Sequence, residues 1–388
     1  MLNLLFFAVR NHQLAYFRTL SQQAASSGEY SSNAIRHRQS FANVLPLHTA
    51  PASERQRIVS QQLHELAQEK TDYQLPAFSR FVLNIWLNLQ FGWLYSAYSN
   101  CLKKYRPDAV VLWNGLKWDQ QIMATAARQM GIRCLYMENG ALPATTAVDA
   151  RGVNFLNSLP RSLDFYQNQP ETELPAQLVA RQQNRRKVQS AETGNHELPE
   201  KYLFVPFQVE TDSQIICFSP WISNMEAFYA QLQQQIDALP EPWVLVIKEH
   251  PSAVRSFGHL HQRHPRIRFA NHTPTQELIE SSSGVITINS SVGIEALLLG
   301  IPVLVLGQAF YGLPGLVAEA HDAAALRNWL QRPEQLPVST DRNRYLSFLN
   351  KRYLIAGPWR SPDDAHLTAM NQRIRQLLTR SDQPFAEQ

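Results

Sequence analysis

The sequence predicts an α/β protein of two Rossmann-like halves, each a mostly parallel sheet between helices. Three observations carry this. Short apolar runs without alternation recur at Leu4–Val9, Ala109–Trp113, Tyr202–Phe207 and Trp243–Ile247, as expected of strands buried on both faces. Helical stretches separate them, so strand and helix alternate. The pattern lapses near residues 170–200 and resets at Tyr202, and 388 residues suit two domains.

Composition narrows the class. Hydrophobic residues make up 44% and charged residues 18%, which describes a folded globular chain. A net charge of +4 with a pI near 8.9 suits an anionic substrate or a membrane surface and is too diffuse for nucleic acid. Cys101, Cys134 and Cys217 show no metal-ligand or redox spacing, and an odd count argues against a disulfide framework, so a cytoplasmic protein is expected. The opening MLNLLFFAVRNH lacks a basic start and a long enough apolar run for a signal peptide. It reads as a first buried strand.

A helix is expected at Tyr16–Ser26, with no glycine-rich dinucleotide loop before it. Ser27–Pro76 is polar and mixed, with one helix at Ala52–Glu69. Phe78–Lys104 reads as a long core helix, because Arg80, Asn84, Asn88, Gln90 and Asn100 interrupt any membrane span. Ala109–Trp113, Trp118–Gln129 and Arg133–Met137 then form a βαβ unit. Ligands of such sheets lie beyond the carboxyl ends of the strands. Asn114-Gly115 and Glu138-Asn139-Gly140 occupy that position, so Glu138 is either a solvated strand end or a site residue. Residues 141–161 read as an irregular binding loop. The basic group Arg181, Arg185, Arg186 and Lys187 reads as an exposed linker, or else as a contact with anionic lipid.

In the second half, helices are expected at Asn224–Ala238 and Thr275–Ser281, and a short strand at Arg266–Phe269. The stretch GVITINSSVGIEALLLGIPVLVL follows as strand (Val285–Ile288), turn (Asn289-Ser290-Ser291), helix (Val292–Leu299), Gly300 stop and strand (Pro302–Leu306). Helices close the chain at Ala323–Gln331, Asn343–Tyr353 and Ala365–Thr379.

Three polar clusters each follow a strand: Gln208–Gln214, Lys248-Glu249-His250-Pro251 and Asn289–Ser291. Parallel strands would bring them to one edge. Lys248, His250, Ser290, Ser291 and a helix N-terminus supply donors suited to a phosphate or nucleotide. The plainer alternative is that Ser290 or Ser291 only caps the helix. Glu210 and Asp212 would repel a phosphate unless they bind a metal or serve glycosyl transfer as base or nucleophile. The GxxxxGK[ST] pattern of a nucleoside triphosphatase is missing. Two such halves with a cleft, a nucleotide cradle and carboxylates describe a GT-B glycosyltransferase.

At these residues the chain resembles the bacterial capsule polysaccharide biosynthesis family of retaining β-Kdo glycosyltransferases. The matching segments are ENGALPATTAVDARGVNFLNSLPR, PFQVETDSQI, VLVIKEHP and VITINSSVGIEALLLGIPVLVLGQAFYGLPGL, within Ala109–Val317. The HP and Ser-Ser elements also resemble those of bacterial sialyltransferases. The family resemblance implies a metal-independent enzyme without a resident cofactor, using CMP-β-Kdo by double displacement. It implies Asp212 as nucleophile and Glu138 as proton shuttle, with Glu210 as rival. His250-Pro251, Ser290 and Ser291 would hold the CMP phosphate, and Lys248 the phosphate or the Kdo carboxylate. Glu295 would bind the ribose, and Gln208 and Gln214 would orient nucleophile or sugar, with Asn139, Gly140 and Asn289 lining the site. The expected partners are the CMP-sugar, a glycolipid or oligosaccharide acceptor, and the inner membrane or other capsule enzymes as peripheral contacts.

The expected domains are 1–195 for the acceptor and 196–340 for the donor, with helices in 341–388 crossing back to the first. Competing expectations are an inverting CMP-sialic acid transferase, a non-catalytic GT-B-shaped assembly factor, and a sugar-nucleotide epimerase of similar shape.

Overall fold

The computed structural model describes residues 1–42, 44–70, 72–174, 198–253 and 255–379. The basic residues Arg181, Arg185, Arg186 and Lys187 lie outside them. The chain forms two compact units: residues 1–159 with 353–388, and residues 160–352.

The first unit opens with β1 (Asn3–Ala8), α1 (Asn11–Ser27), β2 (Ser31–Arg36), α2 (Ala52–Gln68) and α3 (Ala77–Tyr105). It continues with β3 (Ala109–Trp113), α4 (Trp118–Gln129), β4 (Arg133–Asn139) and β5 (Thr145–Asp149). The second unit holds α5 (Asp164–Gln167), β6 (Tyr202–Pro206), α6 (Ser213–Phe218), α7 (Met225–Gln235), β7 (Val244–Lys248), β8 (Ile267–Phe269), α8 (Thr275–Glu280), β9 (Val285–Thr287), α9 (Val292–Leu298), β10 (Val303–Val305), β11 (Ala318–Glu319), α10 (Ala323–Leu330) and α11 (Arg342–Phe348). The chain then returns to the first unit with β12 (Ile355–Ala356) and α12 (Asp364–Thr379).

Each unit is built on a six-stranded sheet, ordered β12-β5-β4-β3-β1-β2 in the first and β11-β10-β9-β6-β7-β8 in the second. The second is parallel throughout, whereas β5 runs antiparallel to β4 and β12 antiparallel to β5. This is the α/β organisation in two units, each on a mostly parallel sheet, that the sequence predicts. β3, β6 and β7 are buried at every position, which explains their unbroken apolar sequence. In the first unit, Leu4, Phe6 and Val111 face α1 and α12. Leu5, Phe7, Val110 and Leu112 face α2, α3 and α4. In the second, Leu203, Val205, Leu245 and Ile247 pack on Met225, Phe228 and Leu232 of α7 and Leu326 of α10.

Three expectations need correction. β2 (SSNAIR) and β5 (TTAVD) lie in segments read as irregular; both are short and polar enough to lack a buried-strand pattern. A short helix that the sequence did not show, α6, starts at the end of the polar Gln208–Gln214 stretch, where Asp212 accepts the Gln214 N–H as its N-cap. α3 is a core helix only in its C-terminal part. Leu87, Phe91, Leu94 and Tyr98 are buried, but Phe78, Phe81, Val82, Ile85, Trp86 and Leu89 are exposed.

Candidate functional site

In the second unit β6, β7 and β9 are neighbours and run parallel, so their following loops share one edge of the sheet. A buried polar pair ties two of these loops together. The Gln208 amide donates to Asn289 Oδ1 at 2.9 Å, and the Asn289 backbone N–H donates to Gln208 Oε1 at 3.2 Å. Asn289 Nδ2 in turn donates to the Gln214 and Phe218 carbonyls at 2.9 and 3.1 Å. Asn289 therefore holds both ends of α6 against β9. Gln208 and Asn289 are positioning residues, and the side chain they help to place is Asp212.

Asp212 is exposed, and its Oδ1 accepts the Gln214 N–H at 2.8 Å. Glu210 points the other way. It is buried, accepts the Met225 N–H at the start of α7 at 2.9 Å, and faces Arg255 Nε at 3.5 Å. The sequence named Asp212 as nucleophile and kept Glu210 as a rival of Glu138 for the proton shuttle; of the two neighbouring carboxylates, Asp212 is presented to solvent and Glu210 is buried. Arg255, which sequence reasoning missed, links the loops after β6 and β7. Its only sequence signal is a cation four residues beyond Pro251.

At the end of β7, Lys248 is buried and donates to the Thr273 carbonyl. Burial lowers its pKa, with Glu277 opposing. Its ammonium thus serves the Thr273 loop, where the sequence suggested a phosphate or carboxylate ligand. Glu249 organises the next turn, accepting from Asn271 at 3.1 Å and pairing with His261 at 2.6 Å. His250 is half-exposed, and its Nδ1 accepts the Ser252 N–H at 3.0 Å. In the neutral ring the proton then sits on Nε2, a donor suited to an anion. Pro251 follows in the tight turn closed by the Ala253 N–H on the His250 carbonyl at 2.9 Å.

The Ser-Ser turn after β9 is partly self-capped. The Ser290 N–H donates to Thr287 Oγ1 at 3.2 Å, and Ser290 Oγ accepts the Val292 N–H at 3.2 Å. The Ser290 carbonyl takes the Gly293 N–H at 3.0 Å and the hydroxyl of buried Tyr311. Three amides of the expected phosphate cradle, those of Ser290, Val292 and Gly293, therefore already have protein acceptors. A Cβ at Gly293 would lie 2.3 Å from the Tyr311 hydroxyl, so this helix start needs a glycine there. Ser291 and Glu295 are half-buried on either side of the first turn of α9, the Ser291 carbonyl accepting the Glu295 N–H at 3.1 Å. Tyr311 is the second residue the sequence did not single out.

The first unit carries its own polar edge. Glu138 lies at the end of β4 and accepts from Asn114 Nδ2 at 2.7 Å, from the Asn139 N–H at 2.8 Å and from Asn139 Nδ2 at 2.9 Å. Asn114 adopts a left-handed φ of 66°, and its N–H bonds the Met137 carbonyl at 2.6 Å, which aims its amide at Glu138. At Gly140 a Cβ would meet Thr145 Oγ1 at 1.9 Å, so the β4–β5 turn requires glycine. Trp359, just beyond β12, donates to Asn139 Oδ1 at 2.7 Å and packs on Trp113 with centroids 4.1 Å apart. Arg360 lies over its ring at 4.6 Å and His12 sits 5.3 Å away. Burial, then Arg360 and Arg10, lower the His12 pKa. Glu138 thus adjoins Asn139, whose amide oxygen takes the Trp359 indole N–H, and Arg360 lies over that indole. His12, Trp359 and Arg360 escaped sequence reasoning because they lie about 350 residues apart in the chain. Among the described residues no group of three or more His, Cys, Asp or Glu side chains is placed to hold a metal ion.

The family described as "Capsule polysaccharide biosynthesis protein" matches residues 174–348, a span holding Gln208, Asp212, His250 and Asn289–Ser291. Protein FixF of Sinorhizobium fredii is 37% identical over 274 residues, covering 68% of this chain and 63% of FixF. The chain thus spans less than two thirds of that relative's length. Capsule polysaccharide export protein KpsS of Escherichia coli is 24% identical over 290 residues, 59% of this chain and 74% of KpsS. Among solved structures, Thermosulfurimonas dismutans KpsC, beta Kdo 2,7 transferase, aligns with a TM-score of 0.48 at 12% identity over 97% of this chain and 99% of that one. An S. aureus MnaA-UDP structure aligns with a TM-score of 0.38 at 11% identity over 97% of each chain.

Proposed function

Because the capsule polysaccharide biosynthesis family matches residues 174–348, we propose that the chain is a glycosyltransferase moving Kdo from CMP-β-Kdo to a lipid or saccharide acceptor of a capsule or related surface polysaccharide. The observation that carries this reading is Asp212: an exposed carboxylate inside the family-matched span, at the carboxyl end of a buried parallel strand, on a loop locked by Gln208 and Asn289.

In the proposed reaction the Asp212 carboxylate attacks the anomeric carbon. The bond to the CMP phosphate oxygen breaks, and CMP leaves with the bonding pair. A general base, the role the resemblance implies for Glu138, then takes the proton of an acceptor hydroxyl, whose oxygen displaces Asp212 from the opposite face and leaves the configuration unchanged. The His250 ring, with its proton on Nε2, and the hydroxyls of Ser290 and Ser291 bind the phosphate, and Glu295 the ribose. Gln208 and Asn289 act through the backbone of α6. Glu210 holds α7 and Arg255, and takes no proton in this scheme. No metal or resident cofactor enters it.

Intact-mass measurement after incubation with CMP-Kdo tests the reading. A Kdo adduct is expected on the wild-type chain and none on Asp212→Asn. Titration with CMP and UDP separates this reading from an epimerase. Tight UDP binding without CMP binding, or an adduct surviving in Asp212→Asn, overturns it.

A further inference from the structure

The N-terminal half of α3 stands out from the rest of the surface. Phe78, Val82, Ile85, Leu89 and Trp93 follow one another at helical spacings of three and four, so they form one stripe, flanked by Phe81 and Trp86. Phe78 is 79% exposed and Leu89 71%. The buried face of the same helix, marked by Leu87, Phe91, Leu94 and Tyr98, lies opposite. The stripe continues toward the C-terminus through Ser96, Asn100 and Lys103. There the 44–48 loop is pinned on it, with the His48 N–H on Ser96 Oγ at 2.9 Å and Asn100 Nδ2 on the Val44 and Pro46 carbonyls at 3.0 Å. That loop adds exposed Leu45 and Leu47 to the same face. The seven helical side chains alone leave roughly 800 Å² of mostly apolar surface in water, taking full aromatic areas of about 150–250 Å² each. The largest patch on an ordinary monomer is about 300–600 Å². A cavity of about 820 Å³, walled by Leu75, Phe78, Val82 and Leu83 with Lys70 and Asp72, opens beside the stripe.

Charge decides what covers this face. Between Asp72 and Asp108 the chain carries Arg80, Lys103, Lys104 and Arg106 and no carboxylate. A second copy seated on this helix would oppose cation to cation. An anionic bilayer surface complements it, with tryptophans at the interface and aliphatic side chains below the headgroups. Among the described residues no helix is long and apolar enough to cross a membrane, so the helix would lie on the surface. We propose that the α3 stripe, with Leu45 and Leu47, docks the protein peripherally on an anionic phospholipid bilayer. This is independent of the transfer reaction proposed above.

Flotation of the full-length protein with phosphatidylcholine vesicles, with and without phosphatidylglycerol, tests the proposal. The wild type is expected to float with the anionic vesicles and to be released by high salt. Phe81→Ser/Leu89→Ser should lose binding at least tenfold, with CMP binding and melting temperature unchanged because both side chains are exposed. A second measurement does not depend on that variant. Lipids with brominated acyl chains should quench the tryptophan fluorescence of the wild type, and Trp86→Phe/Trp93→Phe should lose most of the quenching. Wild type that stays unbound, quenching that survives in the tryptophan variant, or a vesicle-free dimer dissolved by Phe81→Ser/Leu89→Ser would each overturn the assignment.

Discussion

Replacing Glu210 by alanine separates a holding role from a catalytic one at the carboxylate two residues before Asp212. Its side chain is only 8% exposed and Arg255 opposite it 18%, so solvent screens the pair little. Truncation removes the acceptor for the Met225 N–H at the start of α7, a charge-assisted bond of about 1.5–3 kcal/mol. It also removes the carboxylate that faces the Arg255 guanidinium. Breaking a buried pair costs about 3–5 kcal/mol, and the 3.5 Å separation here argues for the low end. One carboxylate makes both contacts, so the two costs overlap and do not add, and the larger sets a loss of about 3 kcal/mol. For a unit the size of residues 160–352 that is a fall of about 6–12 °C in melting temperature. Glu210→Gln retains an acceptor for Met225 and should lose about half as much. Thermal unfolding followed by circular dichroism reads both values. A melting temperature within about 2 °C of wild type for Glu210→Ala, together with abolished turnover, would refute the holding role and return Glu210 to the chemistry.

Other outcomes follow from the same geometry. Ser290→Ala/Ser291→Ala should weaken CMP binding at least tenfold by calorimetry; unchanged affinity would leave the turn as a helix cap alone. Gly293→Ala should destabilise by about 1–3 kcal/mol in urea unfolding, because overpacking against Tyr311 outweighs the better helix propensity of alanine. Buried His366, held between the Tyr16 hydroxyl and the Ala356 carbonyl, has its pKa lowered below 6.5 by burial, against the opposing pull of the Ala356 bond and Asp363. The unfolded chain therefore takes the proton first, and stability should fall as pH drops below about 6.5, by up to about 1.4 kcal/mol per pH unit for this group. Urea midpoints measured across that range, compared with His366→Gln, check the slope.

Central elements were legible because burial on both faces leaves a mark that local sequence carries alone. Ala109–Trp113 and Trp118–Gln129 match the structure to the residue. β2 at the sheet edge and β5 next to the other edge leave no such mark, because both are short and carry polar residues that break any apolar run. α3 misled because its apolar residues do not all turn inward: Leu87 and Phe91 do, while Phe78, Phe81, Ile85 and Leu89 stay exposed. The shared edge of the β6, β7 and β9 termini followed from parallel topology. Which carboxylate turns outward did not, since Glu210 and Asp212 differ only in what their side chains meet after folding. Trp359 reaches Asn139 through 220 residues of intervening chain, beyond any local pattern.

The return of residues 353–379 to the first sheet also orders events during synthesis. β12 and α12 supply Ile355, Met370 and Ile374 to the core that β1 begins. When the ribosome has delivered residues 160–352, every strand of the second sheet is available, while the first still lacks an edge and the helix that covers one face. The half made first is thus completed last, and until then it must carry an open apolar face through translation of the other.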